Sequence, residues 1–297
     1  MIVLLAGASG WLGRQTLQSL RSHGAEVRAI LRGGASHQAA TQLQDAGAVI
    51  VDASLANDSS LARAAEGVDV IVSTLSGGPD VIVDGQAALA RAGRDAGAAR
   101  IFTSDFSVRF DGVDTSTHLF LGWREQARLA IADTGLPQVR TLNGAFMEML
   151  AQDFFGLVDW QDRSVKFWGD ADQSYDFTLT SDVARYVAAA ALDSTLEAGN
   201  FEIVGDTASP RSIAALLSAT TGKPFALRAL GGLADLDAEI ARRQAAHPND
   251  PRPWAGLQYH RLMANGSGKL NAPQNARYAA IAPSSIKHWL ETRGSIA

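Results

Sequence analysis

The stretch that decides the fold is Ile2–Arg14, which has the sequence Ile-Val-Leu-Leu-Ala-Gly-Ala-Ser-Gly-Trp-Leu-Gly-Arg. Its first five residues are apolar, which predicts a short strand buried on both faces. Glycines then recur at positions 7, 10 and 13, and an amphipathic run continues as far as Gly24. The pattern predicts a strand, a tight glycine turn and a helix.

This glycine turn is suited to hold a pyrophosphate. Gly7 permits a sharp turn, Gly10 leaves room for the phosphates beside the backbone, and Gly13 lets the helix lie close to the strand. The free N–H groups and the positive dipole end of the helix attract the anion. The predicted dinucleotide-binding residues of the turn are Gly7, Ser9, Gly10, Trp11, Leu12 and Gly13. A ligand-free glycine turn is the alternative, because a glycine triplet alone is a weak motif.

Composition narrows the class of protein. The 297 residues are 46% hydrophobic, enough for the core of one or two domains. A net charge of −5 without a basic tract disfavours nucleic acid and anionic membranes as partners. The absence of cysteine excludes disulfides and thiolate metal sites, and the six histidines lack metal-ligand spacing, so we expect no metal. The first strand begins at residue 2 and no apolar run reaches membrane-spanning length, so we expect a cytoplasmic protein.

Strands and helices alternate regularly through the first half of the chain. The predicted sheet strands are Ile2–Ala6, Glu26–Leu31, Ala48–Asp52, Asp69–Ser73, Arg100–Ser104, Gln138–Leu142 and, later, Asn200–Val204. The predicted intervening helices cover 36–47, 57–67, 81–97, 117–134 and 180–192, and 105–112 is predicted to be a loop. This order predicts an α/β fold of the Rossmann type, a doubly wound parallel sheet with right-handed crossovers.

The second half differs in composition. Aromatic residues concentrate between 150 and 180, and most of the remaining segments have helical patterns. We therefore predict a dinucleotide-binding domain over residues 1–148, to which 178–205 returns. Residues 149–177 and 206–297 are predicted to form a smaller, mostly helical C-terminal substrate lobe.

Arg32 follows the second strand, where NAD-binding folds carry a carboxylate for the ribose hydroxyls. A guanidinium there suits a 2′-phosphate, which predicts NADP(H) as cofactor. An ordinary solvent-exposed arginine is the alternative. Other predicted cofactor-binding residues lie where parallel strands end, the edge at which open α/β sheets bind ligands: Ser73, Thr74, Leu75, Thr103, Ser104 and Asn143.

Four aromatic residues are candidates for the wall of a substrate pocket: Phe106, Phe146, Trp168 and Tyr175. Flat side chains can hold a flat substrate. Filling a core is the alternative for each of them, because aromatic side chains dominate core packing.

With these motifs in view, the chain resembles the NmrA-like family. The glycine turn has the G-x-x-G-x-x-G spacing of extended and atypical short-chain dehydrogenases/reductases, and the segments 102–106 and 175–186 are similar to family motifs. The family includes isoflavone, pinoresinol–lariciresinol and phenylcoumaran benzylic ether reductases, as well as regulators that only bind the dinucleotide. The resemblance implies an NADP(H)-binding Rossmann fold, a small-molecule substrate and a possible homodimer.

The chain departs from its relatives at the catalytic position. It has no Tyr-x-x-x-Lys pair, and where the plant reductases have a catalytic lysine followed four residues later by arginine, it has Arg124 and Arg128. Arginine stays protonated, so Arg124 is expected to stabilise an oxyanion and not to act as an acid. The best nearby candidate for a proton donor is His118, although a surface residue at a helix start is its alternative. Asp105 and Tyr175 are weaker candidates.

Two functions therefore stay open. One is an NADPH-dependent reductase that transfers a hydride to a small aromatic carbonyl, quinone or activated alkene. The other is a non-catalytic NADP(H)-sensing regulator. The arginine at the lysine position favours the regulator, and the aromatic-rich second lobe favours the enzyme.

Overall fold

A computed structural model describes residues 1–32 and 37–292 of the chain. Parallel strands form the centre of its first half. These strands are β1 Ile2–Ala6, β2 Glu26–Leu31, β3 Val49–Asp52, β4 Val70–Ser73, β5 Arg100–Ser107 and β6 Gln138–Leu142. They agree with the predicted strands in place and order. Strands β1, β3 and β4 are mainly apolar, whereas β2, β5 and β6 also contain charged and polar residues.

Helices cover both faces of this sheet. They are α1 Trp11–Ser22, α2 His37–Asp45, α3 Asp58–Ala65, α4 Gln86–Asp95, α5 Leu119–Ala132 and α6 Thr180–Leu192. Leu17 of α1, Leu43 of α2 and Val187 of α6 share the core on one face. Helices α3, α4 and α5 supply the core on the other face. Burying apolar stripes on both faces stabilises the doubly wound layer arrangement.

The second half contains more β-structure than its sequence patterns indicate. Its strands are β7 Ala145–Phe146, β8 Val158–Asp159, β9 Ser164–Trp168, β10 Tyr175–Thr178, β11 Gly199–Glu202, β12 Asp206–Ala208 and β13 Ala226–Gly231. Its later helices are α7 Pro210–Thr221, α8 Leu233–Ala246, α9 Ala255–Ala264 and α10 Ile286–Thr292. Strand β11 joins the parallel sheet, as predicted for this region, giving the order β11-β6-β5-β4-β1-β2-β3. The others form two three-stranded sheets, β12-β10-β7 and β13-β9-β8, too short to be recognised by periodicity.

The loop predicted over 105–112 is wrong for its first three residues, because β5 continues to Ser107. Thr103 opposes Arg140 and Ser107 opposes Leu142, so β5 carries a bulge next to β6. Phe106 within the bulge has a positive φ of 21°. Bulges and such backbone angles concentrate beside functional sites, where they redirect side chains.

Several boundaries also differ from the predictions. A π-helical segment, Asp80–Gly85, precedes α4, and α5 begins at Leu119 after a short 3₁₀ turn, Thr115–Thr117. Residues 33–36 and 293–297 lie outside the described residues, and the first residue of the helix predicted over 36–47 is among them. No helix among residues 1–32 and 37–292 is long and apolar enough to cross a membrane. In the same ranges no three His, Asp or Glu side chains are grouped to hold a metal ion.

Candidate functional site

Two of the three turn glycines are required by the chain itself. Gly7 has a φ of 84°, and a Cβ there would lie 2.6 Å from the Thr74 carbonyl oxygen. A Cβ on Gly13 would lie 2.1 Å from the carbonyl oxygen of Gly7. Both distances are impossible contacts, so these glycines let the strand, the turn and α1 pack closely.

Gly10 is different, because the chain leaves space beside it. A Cβ there would meet only the Gly7 carbonyl oxygen, at 3.2 Å, and Gly10 has an ordinary φ of −73°. It precedes α1, whose first turn has no side-chain cap and no acidic residue. The N–H groups at this helix start therefore lack a side-chain cap, and Gly10 is crowded by a single carbonyl oxygen, which suits the predicted approach of a dinucleotide pyrophosphate.

The other predicted residues of the turn lie around this helix start. Ser9 and Trp11 are exposed, Trp11 by 51%, and Leu12 is half-buried. The side chain of Arg14 folds back, and its Nε donates to the Ser9 carbonyl oxygen at 2.9 Å. Arg14 thereby adds positive charge beside the turn, which favours an anionic ligand.

Arg32 lies at the carboxyl end of β2, on the edge of the sheet that also carries the glycine turn. It is exposed and makes no hydrogen bond or ion pair with another described residue. The residues that follow it, 33–36, lie outside the described ranges. The guanidinium is thus free to meet a phosphate.

The predicted residues at the ends of β4 and β5 lie together, and two of their hydroxyls donate to backbone carbonyl oxygens of the neighbouring strand ends. The Thr74 hydroxyl donates to the Ala6 carbonyl oxygen at 3.0 Å, and the Ser104 hydroxyl donates to the Leu75 carbonyl oxygen at 2.6 Å. Ser73 and Thr103 are buried. These polar side chains therefore join the strand ends into a rigid platform. Contact with the cofactor stays a prediction for them.

Asn143 lies in the interior. It is 0% exposed, and neither its side-chain oxygen nor its nitrogen has a hydrogen-bond partner in the described chain. Its backbone N–H donates to Ser107 and its carbonyl oxygen accepts the Thr178 hydroxyl. The contact of Asn143 with the cofactor stays a prediction. In the structure, Asn143 connects the end of β6 to β10.

Arg124 is held at the carboxyl end of β5 by three hydrogen bonds. Its Nε donates to the Asp105 carbonyl oxygen at 2.7 Å, and its Nη1 donates to the Phe120 carbonyl oxygen at 3.1 Å and to the Tyr259 hydroxyl at 3.2 Å. Nη2 donates to no acceptor in the described ranges. Arg128, by contrast, pairs with Glu125 on the same helix. The half-buried Arg124 therefore presents a fixed charge with one free donor nitrogen.

Asp105, the second catalytic candidate, is only 4% exposed. Burial is the main influence on its carboxyl and raises the pKa, while Arg140, the Thr103 hydroxyl and Arg124 act in the opposite direction. The Thr103 hydroxyl donates to the carboxylate, and Arg140 Nε lies 3.8 Å from it. The carboxylate thus faces its own side-chain partners, while the backbone carbonyl oxygen of Asp105 positions Arg124.

His118 is a helix cap more than a proton donor. Its Nδ1 accepts the Leu121 backbone N–H at 3.3 Å, and the residue is 5% exposed. Burial, with a smaller effect of Arg124, lowers the pKa of His118 to about 3. The ring is therefore neutral near pH 7 and carries no imidazolium proton to donate. The structure does not support the predicted role of this side chain as an acid.

This neutral histidine gives a prediction for stability. The folded-state pKa is lowered from 6.5 to about 3, so the folded state binds fewer protons than the unfolded chain as the pH falls through this window. We expect the free energy of unfolding to fall below pH 6.5 with a slope approaching about 1.4 kcal/mol per pH unit from this residue.

Urea denaturation of wild type and His118→Asn across this pH range measures the effect. Asparagine can still accept the Leu121 N–H as a helix cap but carries no titrating ring. The difference between the two proteins should shrink as the pH is lowered. Parallel stability curves would show that His118 titrates normally in the folded protein.

The four predicted aromatic wall residues divide into two pairs. Phe106 and Phe146 are half-buried, with ring centroids 6.5 Å apart near the ends of β5 and β6. Trp168 and Tyr175 are 8% and 1% exposed. Trp168 packs in a small cluster with α8 and α9, and Tyr175 lies in the core of the second lobe. For these two the core alternative fits better, because each lies on a short strand covered by helices.

The residues that contact Arg124 from distant parts of the chain were not predicted from sequence. Tyr259 of α9 bonds to Arg124, and its ring lies 6.4 Å from Phe120 and 6.2 Å from Phe154. Phe120 and Phe154 are partly exposed. No local pattern marks Tyr259, because α9 lies more than a hundred residues after α5 and only the tertiary fold brings them together.

Comparisons with known proteins agree with the fold described above. The model of the NmrA-like family matches residues 1–237. An isoflavone reductase homolog IRL from Zea mays is 29% identical over 242 residues, which is 75% of each chain. A probable pinoresinol-lariciresinol reductase 3 from Arabidopsis thaliana is 28% identical over 189 residues, or 62% of this chain and 61% of that protein.

A solved structure shares the fold nearly end to end. AtPrR2, solved with NADP+ and (+)pinoresinol, superposes with a TM-score of 0.83 and covers 97% of both chains at 19% identity. The shared fold extends beyond the residues matched by the family model and includes the second lobe.

Proposed function

Because the chain belongs to the NmrA-like family, we propose that it is an NADPH-dependent reductase. The observation that carries this proposal is a binding edge ready for a dinucleotide phosphate. Gly10 keeps the backbone free of a side chain at an uncapped helix start, and the exposed Arg32 at the end of the next strand has no hydrogen bond or ion pair with another described residue. The reductase names of similar proteins, and the NADP+ in AtPrR2, point the same way.

The chain's own residues have distinct tasks in this proposal. The turn N–H groups hold the pyrophosphate, and Arg32 holds the 2′-phosphate. NADPH, when bound, supplies the hydride. Arg124 neutralises the negative charge that develops on the substrate oxygen, through its free Nη2. Its three hydrogen bonds fix the guanidinium in advance, so little reorganisation is needed during the reaction.

The substrate class follows from the side chains beside Arg124. Partly exposed aromatic rings, Phe106, Phe146, Phe120 and Phe154, lie near the carboxyl edge of the sheet. They suit a flat apolar molecule, and the guanidinium suits an oxygen on it. We therefore propose an aromatic carbonyl, quinone or activated alkene as the substrate. We also propose that the protein is located in the cytoplasm.

The cofactor assignment gives a measurable preference. Arg32→Ala should lose the preference for NADPH over NADH, which we expect to be about ten- to a hundredfold in wild type, because a charge-assisted bond contributes about 1.5–3 kcal/mol. Fluorescence titration of both cofactors measures it. Arg91→Ala removes the same charge from an exposed site on α4 and should leave both affinities unchanged. Equal affinities in wild type would refute the assignment.

A second candidate function, NADP(H) sensing without catalysis, is favoured by one feature. Arg124 occupies the position of the catalytic lysine in the related reductases, and arginine does not exchange its proton near neutral pH. The two functions separate in one experiment, which follows NADPH oxidation with quinones, aromatic aldehydes and enones. The reductase oxidises NADPH only when an acceptor is present. Tight NADPH binding without oxidation by any acceptor would favour the sensor.

A further inference from the structure

Tyr259 lies beside the proposed oxyanion-binding arginine, on an element the sequence analysis did not connect with it. Its hydroxyl oxygen accepts a hydrogen bond from Arg124 Nη1 at 3.2 Å, across the contact between α5 and α9. The residue is 8% exposed, and Arg124 beside it is half-buried. The Tyr259 hydroxyl and the free Nη2 of Arg124 are thus neighbouring polar groups beside aromatic side chains.

The hydroxyl proton of Tyr259 is not used by the chain. Because the oxygen accepts from Arg124, the O–H is left as a donor, and no acceptor for it occurs in residues 1–32 and 37–292. The charged and titratable groups that face this hydroxyl are Arg124 and Asp105, with the neutral His118 ring at 4.6 Å between centroids. A buried donor without an acceptor is uncommon in proteins and calls for a partner from outside the chain.

The surroundings of this hydroxyl suit the transfer of a proton. Burial raises the pKa of Tyr259, so the phenol is protonated near neutral pH. The adjacent Arg124 charge acts in the opposite direction and stabilises the phenolate that remains after transfer. The rings of Phe120 and Phe154 lie 6.4 and 6.2 Å from the Tyr259 ring.

We propose that Tyr259 is the proton donor of the reductase, delivering its phenolic proton to the substrate oxygen that Arg124 holds. The inference rests on the proposed function. A hydride from NADPH forms a new C–H bond at the substrate, the π electrons of the C=O bond move to oxygen, and that oxygen takes the proton from Tyr259. NADP+, the reduced substrate and a Tyr259 phenolate are the products, and water then reprotonates the phenolate.

This pair supplies a chemistry that the sequence pattern lacked. No tyrosine of the chain has a lysine four residues later. The structure instead brings a tyrosine of α9 to an arginine of α5, so an acid and a neighbouring cation meet from separate elements. The cation that cannot give up its proton thereby stands next to a group that can.

The first test measures binding and needs no turnover. 4-Nitrophenolate carries a negative oxygen on a flat ring, and its ionisation is visible by absorbance. In the presence of NADP+, we expect Tyr259→Phe to weaken 4-nitrophenolate binding about tenfold or more, because one hydrogen bond to a charged oxygen is lost. Tyr186→Phe is the matched control, since its hydroxyl donates to the Ile281 carbonyl oxygen at a separate place. Unchanged binding by Tyr259→Phe would overturn the inference.

The second test measures turnover. Tyr259→Phe should lower kcat by about tenfold or more with unchanged NADPH affinity, because water replaces a lost acid only in part. Tyr186→Phe should keep the wild-type kcat. Equal turnover by wild type and Tyr259→Phe would remove Tyr259 from the mechanism and leave the reductase function intact. A wild type that oxidises no NADPH would instead overturn the function, and the role of Tyr259 with it.

Phenylalanine keeps the ring packing of Tyr259, so the variant should fold, and thermal melting checks this. Arg124→Lys provides a second route to the same answer. Lysine keeps the charge near Tyr259 but moves the donor, so it should retain part of the 4-nitrophenolate affinity. If Arg124→Lys alone loses as much 4-nitrophenolate affinity as the double variant Arg124→Lys, Tyr259→Phe, the hydroxyl adds nothing to binding.

Discussion

The Gly10→Val protein is expected to fold normally and to bind NADP(H) at least about a hundredfold more weakly than wild type, a loss of about 3 kcal/mol or more. The structure explains both halves of this result. Gly10 has an ordinary φ of −73°, and a Cβ there meets only one atom, at 3.2 Å. We expect the turn to take up a Cβ by shifting the Gly7 carbonyl a few tenths of an ångström, whereas a branched side chain also fills the space that the pyrophosphate needs beside the helix start.

Two matched variants sharpen this experiment. Gly10→Ala should lose less affinity, because its methyl group fills less of the same space. Gly13→Ala should lower stability directly, because its Cβ would lie 2.1 Å from the Gly7 carbonyl oxygen. Circular dichroism, thermal melting and cofactor titration on the same samples separate folding from binding. If Gly10→Val binds NADPH tightly, the glycine turn has only a structural role.

Arg124→Ala is expected to lower kcat about a hundred- to a thousandfold, the usual loss on removing one electrostatic donor to a developing oxyanion. NADPH affinity should change little, because Arg124 bonds to Asp105, Phe120 and Tyr259 and not to the glycine turn. Steady-state turnover of an accepted substrate and NADPH titration give the two values. Arg124→Lys should recover part of kcat, since it keeps the charge but loses the fork of donors.

The control for this experiment is Arg91→Ala, which changes net charge equally at an exposed site on α4. It should have the wild-type kcat. Turnover that survives in Arg124→Ala would exclude the guanidinium from oxyanion stabilisation. It would leave the Tyr259 hydroxyl or water to bear that charge.

Much of the first half of the fold was predictable from local patterns. Strands β1, β3 and β4 are short and mainly apolar, and the strand bounds predicted for β2 and β6 are those of the structure. The extension of β5 to Ser107 was not predictable from sequence. The polar residues at this end of β5 form hydrogen bonds with residues outside the strand. Ser104 bonds to Leu75, and Ser107 accepts from Asn143.

The candidate site shows the same division. The glycine turn and Arg32 could be proposed as a phosphate site from sequence, because they follow neighbouring parallel strands and strand order fixes which end they share. The roles of Trp168, Tyr175 and His118 could not be predicted from sequence, because they depend on how deeply each side chain is buried. Tyr175 is 1% exposed on a central strand of a small sheet, and burial lowers the pKa of His118 to about 3.

The sequence by itself therefore determined the parallel sheet, the glycine turn after β1 and the charge at the end of β2. All three depend on neighbours within a few residues and on a strand–helix alternation that has few alternatives. Only the tertiary structure decided which groups surround Arg124. Tyr259 reaches it from another helix, and Asp105 from a bulged strand. Contacts between such distant segments leave no periodic signal in a single chain, because they arise from packing and not from local backbone preference.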